Sequence, residues 1–289
     1  MRVRAFAKIN LSLRVLGARA DGYHELRTIF QSVALHDTLT IRAARGPFRL
    51  TCDDQNCPSD HTNLIWRAAE RLWKAAGHRG APRDVAVDLE KRIPLEAGLG
   101  GGSSDAAAAL RALGRLWHVH GTEVRAAAAE LGADVPYFFE GGTVLGLERG
   151  DLLFPLIDYP AAWVVIALPG FGVSTKEAFG WWDSDTEAGR AGRAGRAAGA
   201  GGFRSRSELV NDLEAPVAGR HPEVARIVRA LRKSGATHAA MSGSGSAVFG
   251  LFTRRSDAAS VAAVLAARAR RTVLSRTLNR SRYQALAAM

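Results

Sequence analysis

The chain has 289 residues, near the length at which one hydrophobic core gives way to two, so two domains are expected. With 47% hydrophobic and 23% charged residues it resembles neither a disordered chain nor a membrane protein, and its longest apolar stretch, 161–168, is far short of the ~20 residues a span needs. The net charge of +11 admits nucleic acid, an acidic membrane or an anionic substrate. Much of that charge is local: Arg190, Arg193 and Arg196 lie in a Gly/Ala tract, and Arg268, Arg270, Arg271, Arg276, Arg280 and Arg282 crowd the C-terminal end.

From Val3 to Val15 the odd positions are apolar, whereas Arg2, Arg4, Lys8, Asn10, Ser12 and Arg14 alternate with them. This period of two marks a strand with one buried face and puts Lys8 and Asn10 on its open face. The N-terminus lacks the apolar core and cleavage site of a signal peptide, so a cytoplasmic location is expected. Asp21-Gly22 signals a turn, and 26–41 is strand-rich. Cys52 and Cys57, even with His61 nearby, lack a second ligand pair and are expected to be plain thiols; no metal site is expected from them.

Residues 63–75 have the pattern of a helix and 85–89 that of a strand, which leads through Pro94 into a glycine-rich run. Leu110, Leu113 and Trp117 then recur at helical spacing, and a second helix, 122–131, stops at Gly132. Trp163 to Leu168 is a buried-strand candidate, placing a domain boundary near Tyr159 and hence domains at 1–158 and 159–289. The 187–202 run of Gly, Ala and Arg is expected to be a mobile surface insertion. Val224, Ile227, Val228 and Leu231 mark a helix closing at Gly235; strands follow at 238–241 and 247–252, a helix capped by Ser256, and a last strand at 272–278. Strands alternating with helices here indicate an α+β sandwich.

The strongest chemical signal is the run Pro94, Leu95, Glu96, Ala97, Gly98, Leu99, Gly100, Gly101, Gly102, Ser103, Ser104, Asp105, followed by a helix. Backbone N–H groups of such a run, with the unpaired donors and dipole of the helix behind it, form an anion cradle. It has neither the Gly-Lys-Ser/Thr ending of a Walker loop nor the Gly-x-Gly-x-x-Gly spacing of a dinucleotide turn. The alternative is a flexible linker capped by Ser103 or Ser104. Asp134, just before Val135-Pro136, reads by itself as an N-cap.

The stretch Gly98 to Ala107 resembles the phosphate loop of the GHMP kinases, the superfamily of galactokinase, homoserine kinase and mevalonate kinase. Ala7-Lys8-Ile9-Asn10-Leu11, Arg19 to Leu26 with its Asp-Gly-Tyr-His element, Gly132 to Phe138, Asn211-Asp212 and Met241 to Ser246 extend the resemblance, in order, over nearly the whole chain. They are most similar to the branch whose acceptor is a cytidine-diphosphate-linked methylerythritol.

The resemblance implies an α+β two-domain fold: an N-terminal domain like ribosomal protein S5 domain 2 and a C-terminal ferredoxin-like α/β sandwich. It implies ATP with Mg²⁺, and phosphorylation of the acceptor's 2-hydroxyl. Lys8 and Asp134 become the catalytic pair, with Asp134 as the base. Pro94, Ala97, Gly98, Leu99, Gly100, Gly101, Gly102, Ser103 and Ser104 hold the nucleotide. Asn10 would orient the hydroxyl. Tyr23 and His24 would meet the cytidine, with Phe179 as a second stacking face, and Ser242 and Gly243 would close the site.

Alternatives stay open at this stage. Tyr23 can pack in a local core with His24 on the surface, and Ser242 to Ser246 can be a bare tight turn. The chain can be another GHMP-type kinase acting on homoserine or a mevalonate derivative, although neither acceptor needs Tyr23 and His24. An RNA-binding protein using the basic C-terminal end would need aromatic platforms there, and only Tyr283 is present. A small-molecule substrate, with neither nucleic acid nor membrane as partner, is the expectation. Glu96 places an anion beside the cradle, where it is expected to face solvent.

Overall fold

The computed structural model describes residues 1–191, 209–267 and 269–288, and of 187–191 the backbone only. The first half is built on a long hairpin. Strand β1 (Arg2–Ala18) runs antiparallel to β2 (His24–Pro47) across the turn at Asp21-Gly22, where the Asp21 carboxylate accepts the Tyr23 N–H at 3.1 Å. The other edge of β2 pairs through its second half with β4 (Arg83–Glu90) and through its first half with β5 (Thr143–Glu148). Strands β3 (Arg49–Cys52) and β6 (Leu152–Pro155) complete a six-stranded sheet.

Helices α1 (Leu64–Ala75), α2 (Gly101–Leu116) and α3 (Gly121–Leu131) cover this sheet. In α2 the small buried side chains Ala106 to Ala109 let the helix lie close against the sheet, while Leu110 and Leu113 fill the space against Leu39 and Val87. Asn63 caps α1, its side chain accepting the Ile65 N–H at 2.9 Å. A single turn, α4 (Tyr137–Glu140), buries Tyr137 and Phe138.

The second half is a four-stranded antiparallel sheet in the order β10 (Arg271–Arg276), β7 (Trp163–Leu168), β9 (Val248–Phe252), β8 (His238–Met241). Packed with it are α5 (Thr175–Ala191), α6 (Glu214–Arg220), α7 (Pro222–Lys233) and α8 (Arg255–Ala266). The halves meet where Ile9, Leu11 and Leu99 pack against Ile166, Phe249 and Leu251. Helix α9 (Arg280–Ala287) returns to the first half, and the buried Tyr283 hydroxyl donates to the Phe138 carbonyl at 2.6 Å. Among the described residues no helix is long and apolar enough to cross a membrane.

Several expectations change. Ser256 lies inside α8, whose N-cap is Arg254, so the helix starts two residues earlier than a Ser256 cap indicates. The last strand ends at Arg276; Thr277 bridges to Val33 and the Leu278 N–H donates to Ser32, so the chain changes partner from β7 to β2. Of the run expected to be an insertion, 187–191 continues α5 and 192–202 lies outside the described residues. Tyr283, the one aromatic of the basic end, is 2% exposed and serves the core, not a base-stacking platform.

Candidate active site

Between β4 and α2 the loop is held from below and kept bare above. Pro94 sits partly exposed at its entry, and Glu96 is exposed, as expected. Ala97 and Leu99 are buried anchors: the Ala97 carbonyl accepts the Ala247 N–H at 3.2 Å, and the Leu99 carbonyl accepts the Lys8 N–H at 2.9 Å. Gly98 and Gly100 both take φ 70°, the left-handed region that a side chain disfavours. A Cβ on Gly98 would lie 2.1 Å from the Ser242 carbonyl oxygen, and one on Gly100 would lie 2.8 Å from the Phe138 ring and 3.0 Å from Lys8 Cγ.

Gly100 is the N-cap of α2, and no side chain caps it. The first intrahelical bond is Ser104 N–H to Gly100 C=O at 2.8 Å, so the N–H groups of Gly101, Gly102 and Ser103 have no intrahelical acceptor and carry the positive end of the helix dipole. The serine-capped linker is therefore not what forms. Ser104 is buried, and its hydroxyl donates inward to the Phe6 carbonyl at 2.7 Å, leaving Ser103 as the partly exposed hydroxyl of the pair.

Lys8 and Asn10 lie on the face of β1 opposite Ile9, but that face is not open: they are 4% and 2% exposed. The glycine loop and the 242–246 turn cover it. Lys8 Nζ donates to Asn10 Oδ1 at 2.6 Å, lies 3.4 Å from Asp134 Oδ2, and stands 5.4 Å from the Phe30 ring centre. The Asn10 amide donates in turn to Thr28 Oγ1 at 2.7 Å, so both ends of Asn10 are occupied and its geometry serves to aim Lys8. Asp134 caps nothing; Pro136 is the N-cap of α4. Its side chain is 34% exposed, an anion at the mouth of the site with the Lys8 ammonium behind it.

The turn after β8 closes the loop from the other half. Ser242 Oγ donates to the Gly98 carbonyl at 2.9 Å and accepts the Asn10 N–H at 3.3 Å. A Cβ on Gly243 would stand 3.3 Å from Lys8 Nζ, so only hydrogen fits there without displacing the ammonium. Asn211 donates to the carbonyls of Met241 and Gly243, both at 2.8 Å, and Asp212 accepts the Val15 N–H at 3.0 Å; this dipeptide ties the turn to β1.

Tyr23 is 55% exposed, with the Arg149 guanidinium 5.2 Å from its ring centre and Arg149 itself held by Asp151. His24 is turned toward α5: Phe179 stacks on it at 4.6 Å and 23°, and its Nε2 is 2.8 Å from Asp183 Oδ1. Phe179 thus lies on His24, not across an open gap from Tyr23.

Beneath the cradle lies a buried charge cluster that was not among the expectations from sequence. Lys91 Nζ reaches Asp37 at 2.5 Å and Asp105 at 2.8 Å, and lies 3.4 Å from where a Cβ on Gly101 would be. Burial, reinforced by Asp37, pushes the Asp105 carboxyl up to about 8 although Lys91 pulls it down. Burial opposes the Lys91 charge, but the two carboxylates more than offset it and leave its pKa raised. An acid on the alanine-lined buried face of α2 was the available signal. Cys52 and Cys57 are free thiols, and burial pushes Cys57 up to about 12. Among the described residues no group of three or more His, Cys, Asp or Glu is placed to hold a metal.

A bare helix N-terminus facing a buried lysine and a carboxylate has the charges that phosphoryl transfer requires. Residues 63–142 match the model of the GHMP kinases N terminal domain and 184–271 that of the GHMP kinases C terminal domain. The chain is a GHMP kinase, an ATP-dependent phosphotransferase. The 4-diphosphocytidyl-2-C-methyl-D-erythritol kinase of Moorella thermoacetica is 42% identical over 284 residues, covering 95% of this chain and 98% of the relative. The enzyme of the same name from Gloeobacter violaceus is 42% identical over 276 residues, covering 92% and 90%. A crystal structure of 4-(cytidine 5'-diphospho)-2C-methyl-D-erythritol kinase superposes with a TM-score of 0.78 at 34% identity, covering 96% of this chain and 99% of that one. The chain belongs to the 4-diphosphocytidyl-2-C-methyl-D-erythritol kinase family. Homoserine kinase from Cytophaga hutchinsonii, at 19% identity and a TM-score of 0.67, shares the fold.

Proposed function

We propose that this chain transfers the γ-phosphoryl group of ATP to the 2-hydroxyl of 4-diphosphocytidyl-2-C-methyl-D-erythritol, a step of the non-mevalonate route to isoprenoid precursors. The observation that carries the reading is the meeting of the uncapped α2 N-terminus with the Lys8–Asp134 pair, 3.4 Å apart. Free N–H groups of Gly101, Gly102 and Ser103 bind the phosphates. Asp134 accepts the proton of the acceptor hydroxyl, and Lys8, aimed by Asn10, stabilises charge on the oxygen and on the transferring group. Ser242 and Gly243 hold loop and lysine together, while Tyr23 and His24 receive the cytidine.

Mg²⁺ accompanies the nucleotide in this reading. The sparse donor set fits an ion that takes most of its ligands from phosphates and water. When bound it neutralises charge on the phosphates. ATP consumption is to be measured with the cytidyl substrate, homoserine, mevalonate and galactose. Turnover confined to the cytidyl substrate is expected; preference for any other acceptor overturns the assignment.

A further inference from the structure

We propose that Asp183 is a positioning residue for base recognition: it fixes the tautomer of His24, so that the site accepts a pyrimidine with a 4-amino group and rejects one with a 4-carbonyl. The inference rests on the reading that the acceptor substrate carries cytidine.

Phe179, Trp182 and Asp183 stand at i, i+3 and i+4 of α5, on one face of the helix. All three touch His24, which comes from the other half of the molecule. Phe179 covers a face of the imidazole, Trp182 meets it edge-on at 5.7 Å and 87°, and Asp183 Oδ1 takes Nε2 at 2.8 Å. The His24 side chain is 12% exposed, so the ring is clamped in one orientation. Among the described residues Nδ1 has no hydrogen-bond partner.

A carboxylate only accepts, so in the neutral ring the proton sits on Nε2 and Nδ1 presents a lone pair. The polar rim of cytosine offers one donor, the 4-amino group, alongside the acceptors N3 and O2. An acceptor nitrogen can pair with that amino group alone. Uracil would set its 4-carbonyl oxygen against the same lone pair. The Asp183 side chain is 45% exposed, and a pair so open to water adds little to stability. What it supplies is the choice of nitrogen that carries the proton.

The test uses the full-length protein as wild type, Asp183→Ala and Phe179→Ala. The ratio of kcat/KM for the cytidine substrate to that for its uridine analogue is measured at saturating ATP. A long-range ¹H–¹⁵N spectrum of the His24 ring, assigned with His24→Gln, is recorded well above the ordinary imidazole range. The wild type is expected to show the Nε2–H form. Asp183→Ala is expected to lose that preference, and its cytidine-to-uridine ratio to fall by about tenfold, with the KM for ATP unchanged. Phe179→Ala removes one face of the imidazole clamp but leaves Asp183 in place, so the Nε2–H form is expected to persist in it. A wild-type ring protonated on Nδ1, or an Asp183→Ala variant that keeps the full ratio, overturns the assignment. A wild type inactive on the cytidyl substrate sinks the functional reading instead, and the spectrum alone then decides the role of Asp183.

Discussion

Gly98→Ala probes the loop most directly. Residue 98 has φ 70°, and a methyl group there would sit 2.1 Å from the Ser242 carbonyl oxygen and 3.1 Å from both the nitrogen and the oxygen of Gly245. The neighbours are backbone on every side, so the contact is relieved only by moving the loop or the 242–245 turn by more than about an ångström. The left-handed conformation costs about 1–2 kcal/mol and the overpacking about 1–3 kcal/mol more. The expected loss, about 2–5 kcal/mol in all, is divided between global stability and the nucleotide site. If the loop takes all of it, ATP affinity falls about 30- to 5000-fold. Denaturant melts and calorimetric ATP titration measure the two shares. Gly102→Ala is the control for stability, for among the described residues a Cβ there meets only Leu64 Cδ1 at 3.8 Å, its backbone is helical, and the change is expected to raise stability by up to about 1 kcal/mol. A Gly98→Ala protein whose combined losses stay below about 1 kcal/mol refutes the described packing.

Asp134→Asn keeps the shape of the site and removes the base; kcat is expected to fall about 10²- to 10⁴-fold with both KM values little changed, and steady-state kinetics with near-normal turnover would remove Asp134 from the chemistry. Asp105, held near 8 by burial and Asp37, binds a proton in the folded state that the unfolded chain has already released, so stability falls as pH rises from about 4 to 8. In Asp105→Asn that slope is expected to flatten, and urea midpoints across the range decide it. His238 is pushed down to about 4 by burial, with Arg232 adding and the Leu11 carbonyl opposing. The unfolded chain takes up its proton first, so stability is intact above about 6.5 and falls by about 3 kcal/mol on the way down to 4. His238→Gln, which can still donate to Leu11, is expected to lose that dependence; an unchanged acid limb in its melts would place the effect elsewhere.

What the sequence by itself determined was local. Alternation in β1, the helical pattern of α1, the punctuation around β7 and the glycine run opening α2 each depend on backbone preferences within a few residues, and each forms where that pattern places it. Helix α5 went unseen because its start carries no strong apolar period, and α9 because its buried residues, Tyr283 and Ala287, are outnumbered by polar ones. Resemblance supplied the pairing of Lys8 with Asp134, whereas the tertiary structure decided how that pair is built: Lys8 is buried although its strand face looked open, Asn10 is committed to Lys8 and Thr28, and Asp134 caps no helix. The same holds for the Asp37–Lys91–Asp105 cluster and for Asp183 against His24, which join segments far apart in the chain. Burial and charge pairing depend on which surfaces meet in space, and a polar residue on a strand or helix looks the same in sequence whether water or a second domain lies over it.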